Sequence, residues 1–450
     1  MATNPDTSGL ILARSQKLRL FTLFILYVGQ GLPIGLSWFA IPAWMAANGA
    51  NAEDVGSVLA LTALPWSLKL VNGFIMDRYT VLTLGRRRIW LVGAQSAMIL
   101  VLLIGMALNP SSSQIAILGA IGFALNTATT FQDVAVDGLA VDIMEEDERS
   151  RGSGMMFGGQ SIGIAAGTAL TGAVIGSYGA PAAYALVALL VLLLCLYIVS
   201  FREREGERRL PWHPGTAHPR NLEIQAEAWW PILKNTLVSL TRLVSLLWVP
   251  VLFGRGILYG GLTGVTPLIG ANDVGWSEAQ IAAATSTGGL IAGILGLSLG
   301  GWLGDKFGAK KTAIGWMLVQ IAMCAVMYFS IPYWSNPTLF VTFVYAWISL
   351  DILLTVACLP ISMRLCDPTV AATQFAIYMA VSNFGISFGA FVLSQIDGLG
   401  GLPSIFLVVG GGILMALILM VMVQYPRRPE YYAALEAKLP HDDRVKPRID

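Results

Sequence analysis

Apolar residues fall into twelve blocks, each about long enough to cross a hydrocarbon core of about 30 Å as a helix, and polar residues crowd into the short segments between them. The blocks lie near 18–44, 54–76, 89–108, 114–141, 152–175, 181–201, 246–270, 278–304, 312–331, 338–363, 369–395 and 402–424. None alternates with the period of two that a membrane-spanning barrel requires. The pattern predicts an all-α membrane protein with twelve transmembrane helices in two six-helix bundles. The bundles occupy 1–201 and 246–424, joined by a linker over 202–245, and a polar tail over 425–450 reads as disordered. Within the linker, 221–243 carries apolar residues at helical spacing with Trp229 and Trp230, which predicts a helix lying in the membrane interface as a tether.

Composition agrees with this reading. Hydrophobic residues make up 55% of the 450, charged residues 12%, and the mean hydropathy is +0.67. The net charge of +1 conceals a strong asymmetry. Of 28 Lys and Arg, 26 lie in the N-terminal tail, in loops that follow even-numbered spans, or in the C-terminal tail; Lys69 and Arg255 lie inside spans. Retention of basic residues on the cytoplasmic side places both termini there, in a cell inner membrane. Residues 1–19 are too polar to form the core of a cleaved signal peptide. Cys195, Cys324, Cys358 and Cys366 sit in or beside spans without metal-ligand spacing. No metal, cofactor or nucleic-acid partner is expected, and no Ser/His pair or loop acid pair suggests an enzyme. Membrane lipids, a small solute and protons are the expected partners of a monomer.

Charges inside hydrocarbon cost about 2.5–3.5 kcal/mol on insertion scales, so the few present are the candidates for chemistry. Apart from Glu278 at the first position of the eighth block, no Glu and no His falls within a span. The fourth span carries Asn126, Thr129, Thr130, Asp133 and Asp137 along one helical face, next to Gln132. Asp133 lies roughly 16 Å from the end of that span, near mid-membrane. A carboxyl there can take and release a proton as its surroundings alternate; a fixed ion pair with a neighbouring span is the alternative. Arg255, about 13 Å deep in the seventh span, needs an acidic partner, either Asp133 or Asp351, or an anionic group of a solute. Lys69 is close enough to the interface to snorkel. Trp38, Phe39, Trp44 and Trp66 can stack on a solute or anchor span ends. Gly29-Gln-Gly31-Leu-Pro33 and the glycine-rich seventh span with Pro267 suggest bending during a working cycle.

One motif occurs twice. Gly73-Phe-Ile-Met-Asp77-Arg78, followed by Gly85-Arg86-Arg87-Arg88, returns as Gly301-Trp-Leu-Gly-Asp305-Lys306, followed by Gly308-Ala-Lys310-Lys311, at corresponding points of the two halves. It resembles the signature of loops 2–3 and 8–9 in the major facilitator superfamily. The resemblance implies pseudo-symmetric halves, alternating access and a latch in which the motif Asp meets a neighbouring Arg or the N-terminal end of a helix from the other half. For Asp77 that helix is the eleventh span, which opens with Asp367-Pro-Thr369. Arg86 to Arg88 on their own read as an anchor on anionic lipid.

Five segments taken in order narrow the resemblance. Gly31-Leu-Pro33, Pro65-Trp-Ser-Leu-Lys69, Met76-Asp-Arg-Tyr-Thr80 with Gly85 to Arg88, Gln132-Asp133 with Asp137, and Ala372-Thr-Gln-Phe-Ala376 are similar to the peptide/acetyl-CoA transporter branch, which includes the bacterial muropeptide permeases. The second half departs from those permeases. Where their seventh span carries Lys-Leu-Gly-Asp, this chain reads Gly254-Arg-Gly-Ile257, and its tenth span reads Trp347-Ile-Ser-Leu-Asp351. The branch therefore implies proton-coupled uptake of a mid-sized polar or anionic solute and leaves open a muropeptide-like, siderophore or acyl-CoA type cargo, or efflux.

Overall fold

The computed structural model describes residues 10–422 apart from 49, 51, 226–228 and 277, so the tail over 425–450 lies outside the described residues. Among the described residues, eleven helices are long and apolar enough to cross a membrane, and a bent pair makes a twelfth. The first span comprises α1 (Gln16–Ile34), a π-helical turn (Gly35–Ala40) and α2 (Ile41–Ala47). The second comprises α3 (Ala52–Leu68) and α4 (Leu70–Arg78), bent by 45° at Lys69, one turn after Pro65. Then come α5 (Arg88–Leu108), α6 (Ile115–Ile143), α7 (Arg149–Tyr178) and α8 (Ala180–Ser200).

Two short helices follow, α9 (Pro219–Ile224) and α10 (Trp229–Thr241). The remaining six spans are α11 (Leu243–Asn272), α12 (Glu278–Leu295) running through a π turn into α13 (Gly301–Phe307), α14 (Ala309–Phe329), α15 (Pro337–Leu365), α16 (Ala371–Ser394) and α17 (Ser404–Met422). The π turn of the first span starts two residues after Pro33, whose missing N–H and bulky ring disturb the regular ladder. By contrast α11 continues through Pro250 and Pro267.

The halves repeat one packing. The first and fifth spans touch backbone to backbone, and so do the seventh and eleventh. A Cβ on Gly31 would stand 2.4 Å from the Ile164 nitrogen, and one on Gly260 would stand 2.0 Å from the Ile386 carbonyl oxygen. Such contact replaces the hydrophobic drive that lipid cannot supply between helices. The lipid-facing sides keep their large apolar residues exposed, as at Leu193, Leu196, Leu318 and Ile418.

The linker's first residues belong to the N-terminal half. Phe201–Arg202 pairs as a short parallel strand with Leu10–Ile11. Next to it, the buried Glu203 carboxylate accepts from the backbone N–H of Arg86 at 3.0 Å, of Arg87 at 2.7 Å and of Arg88, satisfying donors at the start of α5 that have no partner within the helix. Glu207 is buried beside it and accepts from Asn221 at 3.0 Å and from the Arg204 backbone at 2.9 Å. Burial first, and then the nearby Glu203 charge, push Glu207 from 4.5 up to about 8, against the pull of Arg204 and Arg88. The folded chain therefore holds more protons than the unfolded chain between these values, so stability should fall as pH rises from about 4.5 to 8. Glu207→Gln, neutral throughout, should flatten that decline in a pH series of thermal unfolding midpoints.

Candidate functional site

Span α6 concentrates the polar groups of the N-terminal half. Asp133 is 4% exposed and receives Lys69 Nζ at 3.0 Å and Gln30 Nε2 at 2.7 Å. One turn further, Asp137 is equally buried and accepts from the Tyr27 hydroxyl. On the other side of Asp133, Thr130 accepts from Asn72 at 3.1 Å, and the Asn126 carbonyl oxygen accepts from both Trp38 and Trp66 at 3.0 and 2.9 Å. The stripe of Asn126, Thr130, Asp133 and Asp137 thus meets side chains from the first and second spans. Gln132 lies off it. Its amide joins Gln95 of α5 and the Leu26 carbonyl, both at 3.0 Å.

Lys69 does not snorkel. Its side chain is 7% exposed, its ammonium is held by Asp133, and the bend between α3 and α4 turns it into the bundle. Lys69 precedes the end of α4 by nine residues, about 13 Å of helix, further than its stem can reach. The pocket of Asp133 and Asp137 holds two carboxyl groups against this one amine. With both carboxyls ionised it would carry an uncompensated buried negative charge, which is strongly unfavourable.

Among the described residues, the spans of the C-terminal half bury the pair of Arg255 and Asp351. Asp351 is the middle residue of α15 and is 2% exposed. Arg255 grips it in a fork, with Nη2 at 3.0 and 2.9 Å from the two oxygens and Nε at 3.2 Å, while Nη1 donates to Ser382 at 3.0 Å. The Arg255 side chain keeps 15% of its surface exposed. Tyr259 stands edge-on to Trp347 one turn away.

The repeated motif closes the end of the bundle that carries the basic loops. Asp77, fully buried at the end of α4, accepts at 2.8 Å from both the backbone N–H and the hydroxyl of Thr373 in the first turn of α16. The positive end of that helix is therefore neutralised by a carboxylate from the other half. Gly73 permits the approach, because a Cβ there would come within 2.8 Å of the Thr373 Cα. Arg86 and Arg87 bridge Asp77 to Asp142 at the foot of α6, at 2.8 to 3.3 Å. Arg78 instead stacks beside Tyr79, 5.0 Å from the ring centroid.

The reading of Arg86 to Arg88 as a lipid anchor is corrected here: all three are buried against acidic groups and carbonyl oxygens. In the second copy, Asp305 pairs with Arg151 in the first turn of α7, and a Cβ on Gly301 would meet the Arg151 Cα at 2.8 Å. Lys306 lies over the Trp302 and Phe307 rings at 4.8 and 5.3 Å. The foot of α7 also packs Gly154 and Gly158 onto the Gly296 and Gly293 carbonyl oxygens across the interface.

The family model of the major facilitator superfamily matches residues 23–350 and, in a second match, 251–446. The chain belongs to the major facilitator superfamily. It is a multi-pass membrane transporter. The anhydromuropeptide permease of Escherichia coli (strain K12) is 26% identical over 384 residues, covering 82% of this chain and 74% of that protein. Among solved structures, the human organic anion transporter MFSD10 (TETRAN) aligns with a TM-score of 0.66 at 14% identity, over 89% of this chain and 98% of its own. The superfamily transporter FucP in the outward conformation gives 0.66 at 12% identity, over 91% and 99%. These two show a shared fold.

Several residues of the network escaped the sequence reading. Tyr27 and Gln30 are three apart on one face of α1, and an amide between two glycines inside a span was the available signal. Thr373 falls in the Ala372–Ala376 segment at the start of the span expected to meet Asp77, whereas nothing local marks Arg151 or Glu203, whose partners lie far along the chain.

Proposed function

We propose that this transporter couples proton entry to uptake of a mid-sized polar or anionic solute of the muropeptide type across the cytoplasmic membrane, with both termini in the cytoplasm. The carrying observation is the pocket of Asp133 and Asp137, where two carboxyls share one amine. Lys69 balances Asp133, and Asp137, which accepts from the Tyr27 hydroxyl through Oδ1, is left to hold a proton on its other oxygen. Proton loss creates the uncompensated charge, so the deprotonated state calls for rearrangement of the surrounding spans. The solute reading draws on Arg255, whose side chain is 15% exposed and whose guanidinium suits a carboxylate or phosphate, and on the name of the E. coli relative.

With basic loops on the cytoplasmic side, the Asp77 and Asp305 contacts close the inner end, which corresponds to an outward-facing state. Inward opening requires Asp77 to leave Thr373 and Asp305 to leave Arg151, the step that alternating access demands. Proteoliposomes loaded at neutral pH should accumulate labelled anhydromuropeptide when the outside is made acidic, and a protonophore should abolish that accumulation. Gradient-independent uptake would remove the coupling. Uptake of a ferric siderophore or an acyl-CoA compound in place of the muropeptide would reassign the solute, and net export under the same gradient would reverse the direction.

A further inference from the structure

Helix α10 does more than connect the halves. Its inner face is wedged across the seam that the first motif closes. Ile232 is fully buried in a small cluster with Val370 at the start of the eleventh span, against which Phe74 of α4 packs, so this helix meets both halves. At one end of α10, Trp229 packs edge-on against Tyr79, just beyond α4. Six residues along, Asn235 donates to the Thr369 hydroxyl at 3.1 Å. At the far end, the Ser239 carbonyl accepts from Ser245, which is linked in turn to Tyr378 of α16 at 2.9 Å. Before the helix, Gln225 donates at 3.1 Å to the last carbonyls of α4, those of Asp77 and Arg78.

The outer face of α10 is mostly apolar and exposed. Trp230 is 69% exposed, Leu233 42%, Leu237 53% and Val238 49%. Past Thr241 and Arg242, apolar exposure resumes at Leu243 and Leu246 of α11, at 71% and 54%, where the chain enters the membrane. Lys234 and Arg242 stand beside it, exposed. A helix with one apolar face, flanking cations and direct continuity with a lipid-facing span fits the boundary between headgroups and acyl chains.

We propose that α10 is a strap seated in the bilayer leaflet at the basic end, which holds the two halves together across the closed seam. The lipid occupies its Trp230–Leu237 face, and Ile232 and Asn235 bind the seam. Opening this end then requires Ile232 to part from Phe74 or from Val370. The assignment is independent of which solute or ion is carried.

Full-length protein in nanodiscs of phosphatidylethanolamine and phosphatidylglycerol tests both faces. The native cysteines are buried, so a spin label on Leu237→Cys can be read alone. It should relax faster with oxygen than with a water-soluble nickel chelate, the reverse of a label on Val81→Cys in the adjoining loop. An aqueous signature at 237 would overturn the lipid seat. Labels paired at Val81→Cys and Lys311→Cys report the separation of the halves. Adding Ile232→Ser should raise the widely separated fraction about tenfold, as removal of a buried apolar contact does. An unchanged distance distribution would show that α10 does not strap the seam. Because the label at 237 is measured on an otherwise native chain, the lipid test stands even where Ile232→Ser impairs folding.

Discussion

Asp137→Asn should reduce gradient-driven accumulation to an inside-to-outside ratio of about one while solute exchange across the membrane continues. Asn at this position retains a neutral group beside the Tyr27 hydroxyl and so resembles the proton-loaded carboxyl. A carrier fixed in that form can cycle with solute bound but cannot release a proton to the inside. Asp133→Asn is expected to behave differently, because it strands the Lys69 ammonium in a buried site at a cost of about 3–5 kcal/mol. Its loss of transport should accompany loss of folded protein, and Lys69→Met added to it should restore the fold. Counterflow and accumulation measured on the same proteoliposomes separate these cases. Full accumulation by Asp137→Asn would take that carboxyl out of the coupling.

The contrast between the two aspartates also marks how far the sequence can be read. An aspartate inside a span is costly enough that its presence alone flags Asp133, Asp137 and Asp351, and a duplicated Gly-x-x-x-Asp flags Asp77 and Asp305. The helical period placed Asp133 and Asp137 on one face. The assignment of counter-charges was open for Arg255, between Asp133 and Asp351, and hidden for Lys69, because partners come from other spans. Lys69 lies 64 residues from Asp133, and Arg255 lies 96 from Asp351.

The same reason explains the basic tripeptide. Read alone, Arg86 to Arg88 suit a lipid surface, but Asp142 and Glu203 arrive from the ends of the fourth and sixth spans and convert them into buried structure. The short strand pair of Leu10–Ile11 with Phe201–Arg202 joins residues nearly 200 apart and leaves no local periodicity to detect. The linker helix was visible as an apolar stripe. Its second face, packed on Phe74 and Val370, was not.

Asp351→Leu should be the most destabilising change in the C-terminal half, lowering stability by about 3–5 kcal/mol, because it leaves the Arg255 guanidinium without its forked partner at mid-membrane depth. The double change Arg255→Met with Asp351→Leu removes both charges and fills the space with apolar volume, so the thermal midpoint should return to near that of the native protein. Transport then discriminates between structural and solute-binding roles. A purely structural pair predicts that the double variant carries every solute as well as the native protein does. A guanidinium that also meets the solute predicts a rise in KM of about a hundredfold for an anionic substrate and little change for its neutral analogue. The incomplete burial of the Arg255 side chain favours the second outcome. Equal losses for charged and neutral solutes in a folded double variant would assign the pair to the working cycle of the helices and leave solute charge to be read elsewhere in the bundle.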